Sequence, residues 1–206
     1  MLARGDMTHA RSLRGSFGGM FMTVSSFGAS SVGPLQPDQQ SASLTIRAAR
    51  PGDIPDLIRM KVALATADDA IDAVRATPEE WMRDVFGPEP RFAAFIAEWK
   101  DAAIGMATCS ERYVTGWAGP VVFLQDLFVD PPYRGQKVGA ALMARVTAYA
   151  AERGSPIIEI NVRADNPARQ FYRRHGFQEV SNCVVYVAGV HTLSKVAASA
   201  ESDPAS

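Results

Sequence analysis

At 206 residues, with 47% apolar and 21% charged residues, the chain has the size and balance of one soluble globular domain with appended segments. A formal net charge of −1 gives no electrostatic footprint for nucleic acid or an anionic membrane surface, and no apolar run approaches the roughly 20 residues of a membrane span. Two cysteines, Cys109 and Cys183, without paired spacing provide neither a disulfide framework nor a zinc site, and the three histidines are isolated, so no metal is expected.

Residues 1–43 are rich in Ser and Gly, carry Arg4, Arg11 and Arg14, and contain only Asp6 and Asp38 as acids. They read as a disordered leader or as an upstream start, with Met20 or Met22 as alternatives. A targeting segment is the other reading, although its apolar core from Phe17 to Val32 is broken by Gly and Ser. Residues 188–206 form a C-terminal tail that is small and polar after Ala197, and 44–187 are the expected domain.

Within that domain "LTIRAA" predicts a short strand. "GDIPDLIRMKVALA" predicts a helix with Asp53 at its N-cap and Ile54, Leu57, Ile58 and Val62 at helical spacing. In "TPEEW", Thr77 and Glu80 fit a capping box with Pro78 at the first helical position. "RFAAFIAEWKDAAIGMATCSE" predicts a hairpin turning at Lys100 and Asp101. "PVVFLQDLFVD" is a nearly unbroken apolar run, as expected of a strand buried on both faces. After Gly139 a helix carries Val138, Leu142, Val146 and Tyr149 on one stripe. "PIIEINV" predicts another buried strand, "NPARQFYRRH" a short helix, and "GFQEV" and "CVVYV" two closing strands. The alternation gives an α/β fold, a mixed sheet of about seven strands flanked by about four helices.

Three stretches carry polar groups where packing alone would not put them. Gln125 and Asp126 interrupt the apolar run; by strict alternation they point to opposite faces, and a carboxylate there is either a structural acceptor or an active-site group. "DPPYRGQKVGAALM" joins a strand end to a helix start, which gathers unpaired N–H groups and the positive end of the helix dipole into an anion site. In it Arg134 and Lys137 add charge, while Gly135 and Gly139 let backbone approach a ligand; a plain helix start with a basic first turn explains the same residues. In "NPARQFYRRH" Asn166 suits an N-cap, and Tyr172, next to Phe171, is a candidate acid.

Together, "LQDLFVDPPYRGQKVGAAL" and "NPARQFYRRHGF" resemble the GCN5-related N-acetyltransferase (GNAT) superfamily, and within it the diamine and polyamine acetyltransferases, through "IRAARPGDIPDLIRM", the "FG" after the second helix, "GWAG" and "LQDLFV". The resemblance implies an acetyl-CoA-dependent N-acetyltransferase acting on a primary amine, in the cytoplasm, without metal; family members commonly dimerise, so a homodimer is an expectation. The family's pyrophosphate loop, [QR]-x-x-G-x-[GA], aligns with Arg134-x-x-Lys137-x-Gly139, lysine replacing the middle glycine. The resemblance then assigns the pyrophosphate to Arg134, Gly135, Gln136, Lys137, Val138, Gly139 and Ala140, and the pantetheine arm to Leu127, Phe128 and Val129. Asn166 joins the cofactor set and Tyr172 becomes the general acid that protonates the leaving thiolate. Asp126 is the second catalytic candidate. On the substrate side stand Gln125, Asp68, Asp69, Asp72, Trp117 and Glu159. The polyamine enzymes carry Leu-Glu-Asp where this chain has Leu124, Gln125 and Asp126, so the group that takes the amine's proton is left open between Asp126, Glu159 and water. An amino acid, drug-like or protein amine, or acyl-CoA binding without turnover, are the alternatives.

Overall fold

The computed structural model describes residues 44–116 and 118–180. By its internal contacts the chain divides into two units, Phe21–Gln178 and Met1–Met20 with Glu179–Ser206.

Five strands form one sheet in the order β1-β2-β3-β4-β5: β1 (Leu44–Ala48), β2 (Ala93–Trp99), β3 (Ala102–Val114), β4 (Gly119–Val129) and β5 (Ile158–Glu159). The first four are antiparallel neighbours, and β5 runs parallel to β4. Four helices accompany them: α1 (Ile54–Ala67), α2 (Pro78–Phe86), α3 (Val138–Glu152) and α4 (Arg169–Arg174). This is the expected mixed α/β fold with fewer strands. "GFQEV" joins no ladder among the described residues, "PIIEINV" pairs only at Ile158 and Glu159, and "CVVYV" lies outside the described residues.

The apolar run of β4 separates two cores, as expected of a strand covered on both faces. Val122, Leu124 and Leu127 pack with Val138, Leu142 and Val146 of α3. Phe128, with Ile96 and Met106, packs against Leu57, Met60 and Leu64 of α1 and Trp81 of α2. Burying side chains of this kind stabilises the fold by about 1.5–3 kcal/mol each. The α1 stripe is rotated from its expected position: Val62 is exposed, and Met60 and Leu64 take over the buried face beyond Leu57.

Local chemistry sets the element ends. The β2–β3 turn has Lys100 and Asp101 both at positive φ (47° and 64°), the geometry of a two-residue hairpin loop whose twist matches the strands. Thr77 and Glu80 complete the reciprocal capping box that starts α2. Asp53 does precede α1, but its carboxylate caps no helix N–H. Instead it receives the Arg47 guanidinium at 2.6 and 2.9 Å and the Arg50 N–H. A charge-assisted fork outcompetes a neutral cap, and Arg47 also reaches Glu98 on β2.

Candidate active site

The site is built around the C-terminal half of β4. Its ladder with β5 contains only Val122↔Ile158 and Phe123↔Glu159, so among the described residues Leu124–Val129 continue with no strand on that side. On the other side the register to β3 slips between Thr108 and Cys109: Thr108 faces Asp126, Cys109 faces Leu124, and Gln125 is the extra residue of a β-bulge. The bulge resets the alternation, which is why Leu124 and Leu127, three apart, enter the same core. Gln125 and Asp126 therefore do not point to opposite faces. Both line one cleft of about 190 Å3, bounded by Lys61 of α1, the Ala73–Ala76 segment and Trp81 of α2.

Asp126 and Gln125, which line the cleft, and Glu159, which does not, are each held by a protein partner. Asp126 is 3% exposed, and both of its oxygens are occupied: Thr108 Oγ1 donates to Oδ2 at 2.6 Å and Lys61 Nζ to Oδ1 at 2.7 Å. The Gln125 amide donates to Ser110 Oγ at 3.2 Å. Glu159 is held in an ion pair by Arg112, whose guanidinium lies over the Phe123 ring.

Where β4 ends, Pro131–Tyr133 form a 3-10 turn and α3 begins at Val138. The α3 ladder starts with Ala141 N–H donating to Lys137 C=O, leaving the N–H groups of Val138, Gly139 and Ala140 without an acceptor inside the helix. These donors and the helix dipole make an anion seat beside Leu127–Val129. Lys137, the N-cap, is exposed and left-handed (φ 64°, ψ 4°), and Gly135 is also at positive φ (75°). The glycine expected at position 137 is thus a conformational requirement that the lysine meets under strain. Arg134 turns back to the strand: its Nε donates to Val129 C=O at 2.8 Å and its guanidinium lies 5.7 Å from the Phe128 ring centre. Gln136 Nε2 donates to Pro132 C=O.

The α4 segment closes on this loop. Asn166 is buried and its Oδ1 accepts from the Ala168 N–H, closing a turn two residues ahead of α4; the N-cap of α4 is Ala168, not Asn166 as its sequence position suggests. The Phe171 ring lies so near Gly139 that a Cβ there would sit 3.5 Å from it. Tyr172 packs with Leu127, Val138 and Leu142 at 4% exposure, and its hydroxyl has no hydrogen-bond partner among the described residues. Burial, and in second place the charge of Asp126, push the phenol well above its ordinary pKa.

A family model for the acetyltransferase (GNAT) family matches residues 63–177, more than half of the chain. The chain belongs to the GNAT acetyltransferase family. This acetyltransferase is 33% identical over 112 residues to the human spermidine/spermine N(1)-acetyltransferase-like protein 1, a match covering 51% of this chain but only 16% of that protein. It is 32% identical over 120 residues to the pig thialysine N-epsilon-acetyltransferase, covering 55% and 71% of the two chains. Among solved structures it is similar to AAC(6')-Iy in complex with the bisubstrate analogue CoA-S-monomethyl-acetylneamine, with a TM-score of 0.56 and 27% identity over 71% of this chain and 98% of that one.

The fold of the acetyltransferase thus brings Leu127, Val138 and Tyr172 into one core, with Phe171 and Val129 against Gly139 and Asp126 near enough to act on Tyr172, while Gln125 and Asp126 share the cleft. Asp68, Asp69 and Asp72 do not line that cleft; Asp68 and Asp69 lie close enough to Arg163 to raise its pKa, behind the larger effect of Asp165. Trp117 lies outside the described residues. Lys61 is the site residue that the sequence reading missed. Its signal was its spacing: it stands four residues after Leu57 and three before Leu64, a lysine on the buried stripe of α1.

Proposed function

We propose that this acetyltransferase transfers the acetyl group of acetyl-CoA to a small aliphatic primary amine, the broad class to which monoamines, diamines, polyamines and lysine-like amines all belong. The observation that carries the reading is the Tyr172 hydroxyl: a buried donor with no hydrogen-bond partner among the described residues, packed in the core that holds Val138 at a helix N-terminus and near enough to Asp126 to feel its charge. An orphaned buried hydroxyl costs about 1–3 kcal/mol, which a ligand atom at that point would offset.

Acetyl-CoA supplies the activated thioester. The N–H groups of Val138, Gly139 and Ala140 fit its pyrophosphate, with Lys137 adding charge at the rim, and the β4 edge from Leu127 to Val129 fits the pantetheine arm. Tyr172, kept protonated by its surroundings, holds the proton destined for the departing sulfur at its Oη. The amine must lose a proton, because alkyl ammonium groups titrate near about 10. Asp126 has both oxygens occupied and Glu159 is paired with Arg112, so this proton leaves through water in the cleft.

The test is thiol release from acetyl-CoA with spermidine, 1,4-diaminobutane, thialysine and an aminoglycoside, each at several pH values. Release with at least one aliphatic amine, rising with pH as the free amine forms, is the expected result. Tight acetyl-CoA binding with no release from any amine would mean acyl-CoA binding without turnover. Turnover of the aminoglycoside alone would move the acceptor to a drug-like amine, a reading that the likeness to AAC(6')-Iy favours.

A further inference from the structure

The cleft floor contains an ammonium that belongs to the protein. Lys61 Nζ lies 2.7 Å from Asp126 Oδ1, with the two side chains 16% and 4% exposed, so Lys61 is on the cleft side and Asp126 beneath it. The other Asp126 oxygen is taken by Thr108, itself fully buried on β3. Beside this pair stands a neutral amide, Gln125, turned toward Ser110. Among the described residues an incoming cation therefore finds no open carboxylate at the floor: it meets a cation, an amide and an acid already paired with Lys61. The acids on the cleft wall do not replace it. Glu80 turns back to accept from the Thr77 N–H, and Asp84 is bound by Arg83 at 2.8 and 2.9 Å. Arg75 adds a second cationic side chain to the same lining.

We propose that Lys61 is a specificity-determining residue that fills the place a second substrate ammonium would take, so that the enzyme selects amines with one cationic nitrogen near the floor over diamines and polyamines. The inference rests on the acetyltransferase reading of the cleft and narrows it within the amine class. It also gives the Gln125 amide a role. With the Asp126 charge already matched by Lys61, a further acid at 125 would attract the second ammonium that Lys61 excludes.

The test compares 1,4-diaminobutane with butylamine, which share a chain length and differ by one ammonium. The readouts are kcat/KM for thiol release and Kd by calorimetry, for the wild type, Lys61→Met, Lys61→Arg and the double variant Lys61→Met/Asp126→Asn. In Lys61→Met the Asp126 carboxylate is open to the second ammonium, and the diamine-to-monoamine ratio rises about tenfold or more, the scale expected of one charge contact of a few ångströms in a partly solvated site. Lys61→Arg keeps the ratio of the wild type. The double variant carries no unpaired buried charge, so it reads the proposal even where Lys61→Met folds poorly: its ratio rises, by less than in the single variant. A ratio within twofold of wild type in both methionine variants overturns the proposal. A wild type that releases no thiol with these two amines or with any of the spermidine, thialysine and aminoglycoside panel overturns the acetyltransferase reading instead, and the calorimetric ratios still decide the role of Lys61.

Discussion

Tyr172 combines two properties that structure alone would select against, deep burial and a hydroxyl with no hydrogen-bond partner among the described residues. Replacing it with Phe removes the orphan without opening a cavity, so the variant should be as stable as the wild type or more stable, by up to about 1–3 kcal/mol. If the hydroxyl is the proton donor, kcat should fall by about 100-fold or more, while acetyl-CoA affinity drops by no more than about tenfold, the worth of one hydrogen bond. Thermal unfolding, calorimetric binding and thiol release on one preparation of Tyr172→Phe check both halves. Undiminished turnover would remove Tyr172 from the acid role. At this scale the sequence showed which residues were out of place but not how they were arranged. Gln125 and Asp126 stood out because they break an apolar run, yet their shared cleft depends on a bulge. One inserted residue on a strand leaves no compositional mark, because the slip lies in the register between two strands. Lys61 was hidden for a different reason: a lysine on a helix is normally a solvated residue, and only its partner 65 positions later makes it part of a site.

Among the elements, the loop between β4 and α3 shows how a backbone requirement can be read as a sequence preference. Lys137 adopts φ 64° at the N-cap of α3, a conformation that costs a non-glycine residue roughly 1–2 kcal/mol. Lys137→Gly relieves that strain but gains freedom in the unfolded chain, so stability should stay level or rise by less than about 1 kcal/mol. Lys137→Val introduces a β-branched side chain into the same conformation and should lower stability by about 1 kcal/mol or more beyond the lysine. Chemical denaturation of the two variants tests this, and equal midpoints for Gly and Val would show that the position does not hold its left-handed geometry in solution. The lysine's charge is separable from its backbone: Lys137→Gly should weaken acetyl-CoA binding only modestly, because the N–H groups remain. Helices and the hairpin were legible from periodicity and caps. The length of β5 was not, because "PIIEINV" has the composition of a full strand and its pairing nevertheless ends at Phe123↔Glu159.

For the molecule as a whole, the two-sided core could be read from one feature, the apolar run of β4, since a strand apolar at almost every position needs cover on both faces. The same core fixes how global stability responds to alkali. Cys109 lies fully buried in the α3-side core, and burial, with Glu111 adding to it, pushes its thiol up to about 12. Tyr149, which donates to Glu111 Oε1 at 2.9 Å, is pushed up to about 12 by its burial first and by Glu111 second. Both groups have folded pKa values above their unfolded ones. Their contribution is complete below the unfolded values, about 8.5 for a thiol and about 10 for a phenol, and declines as pH rises toward 12, because the unfolded chain releases protons that the folded chain retains. For the buried thiol the decline approaches, as an upper limit, about 1.4 kcal/mol for each pH unit above its unfolded value. Tyr149 is more exposed, and solvent screening makes its share smaller. Cys109→Ala removes one of the two groups and leaves a small cavity, so at pH 7 the variant should be less stable by about 1 kcal/mol. Between pH 9 and 11 its melting temperature should fall less steeply than that of the wild type, and the two curves should converge. Parallel curves across that range would show that the Cys109 thiol reaches solvent readily enough to ionise in the folded protein.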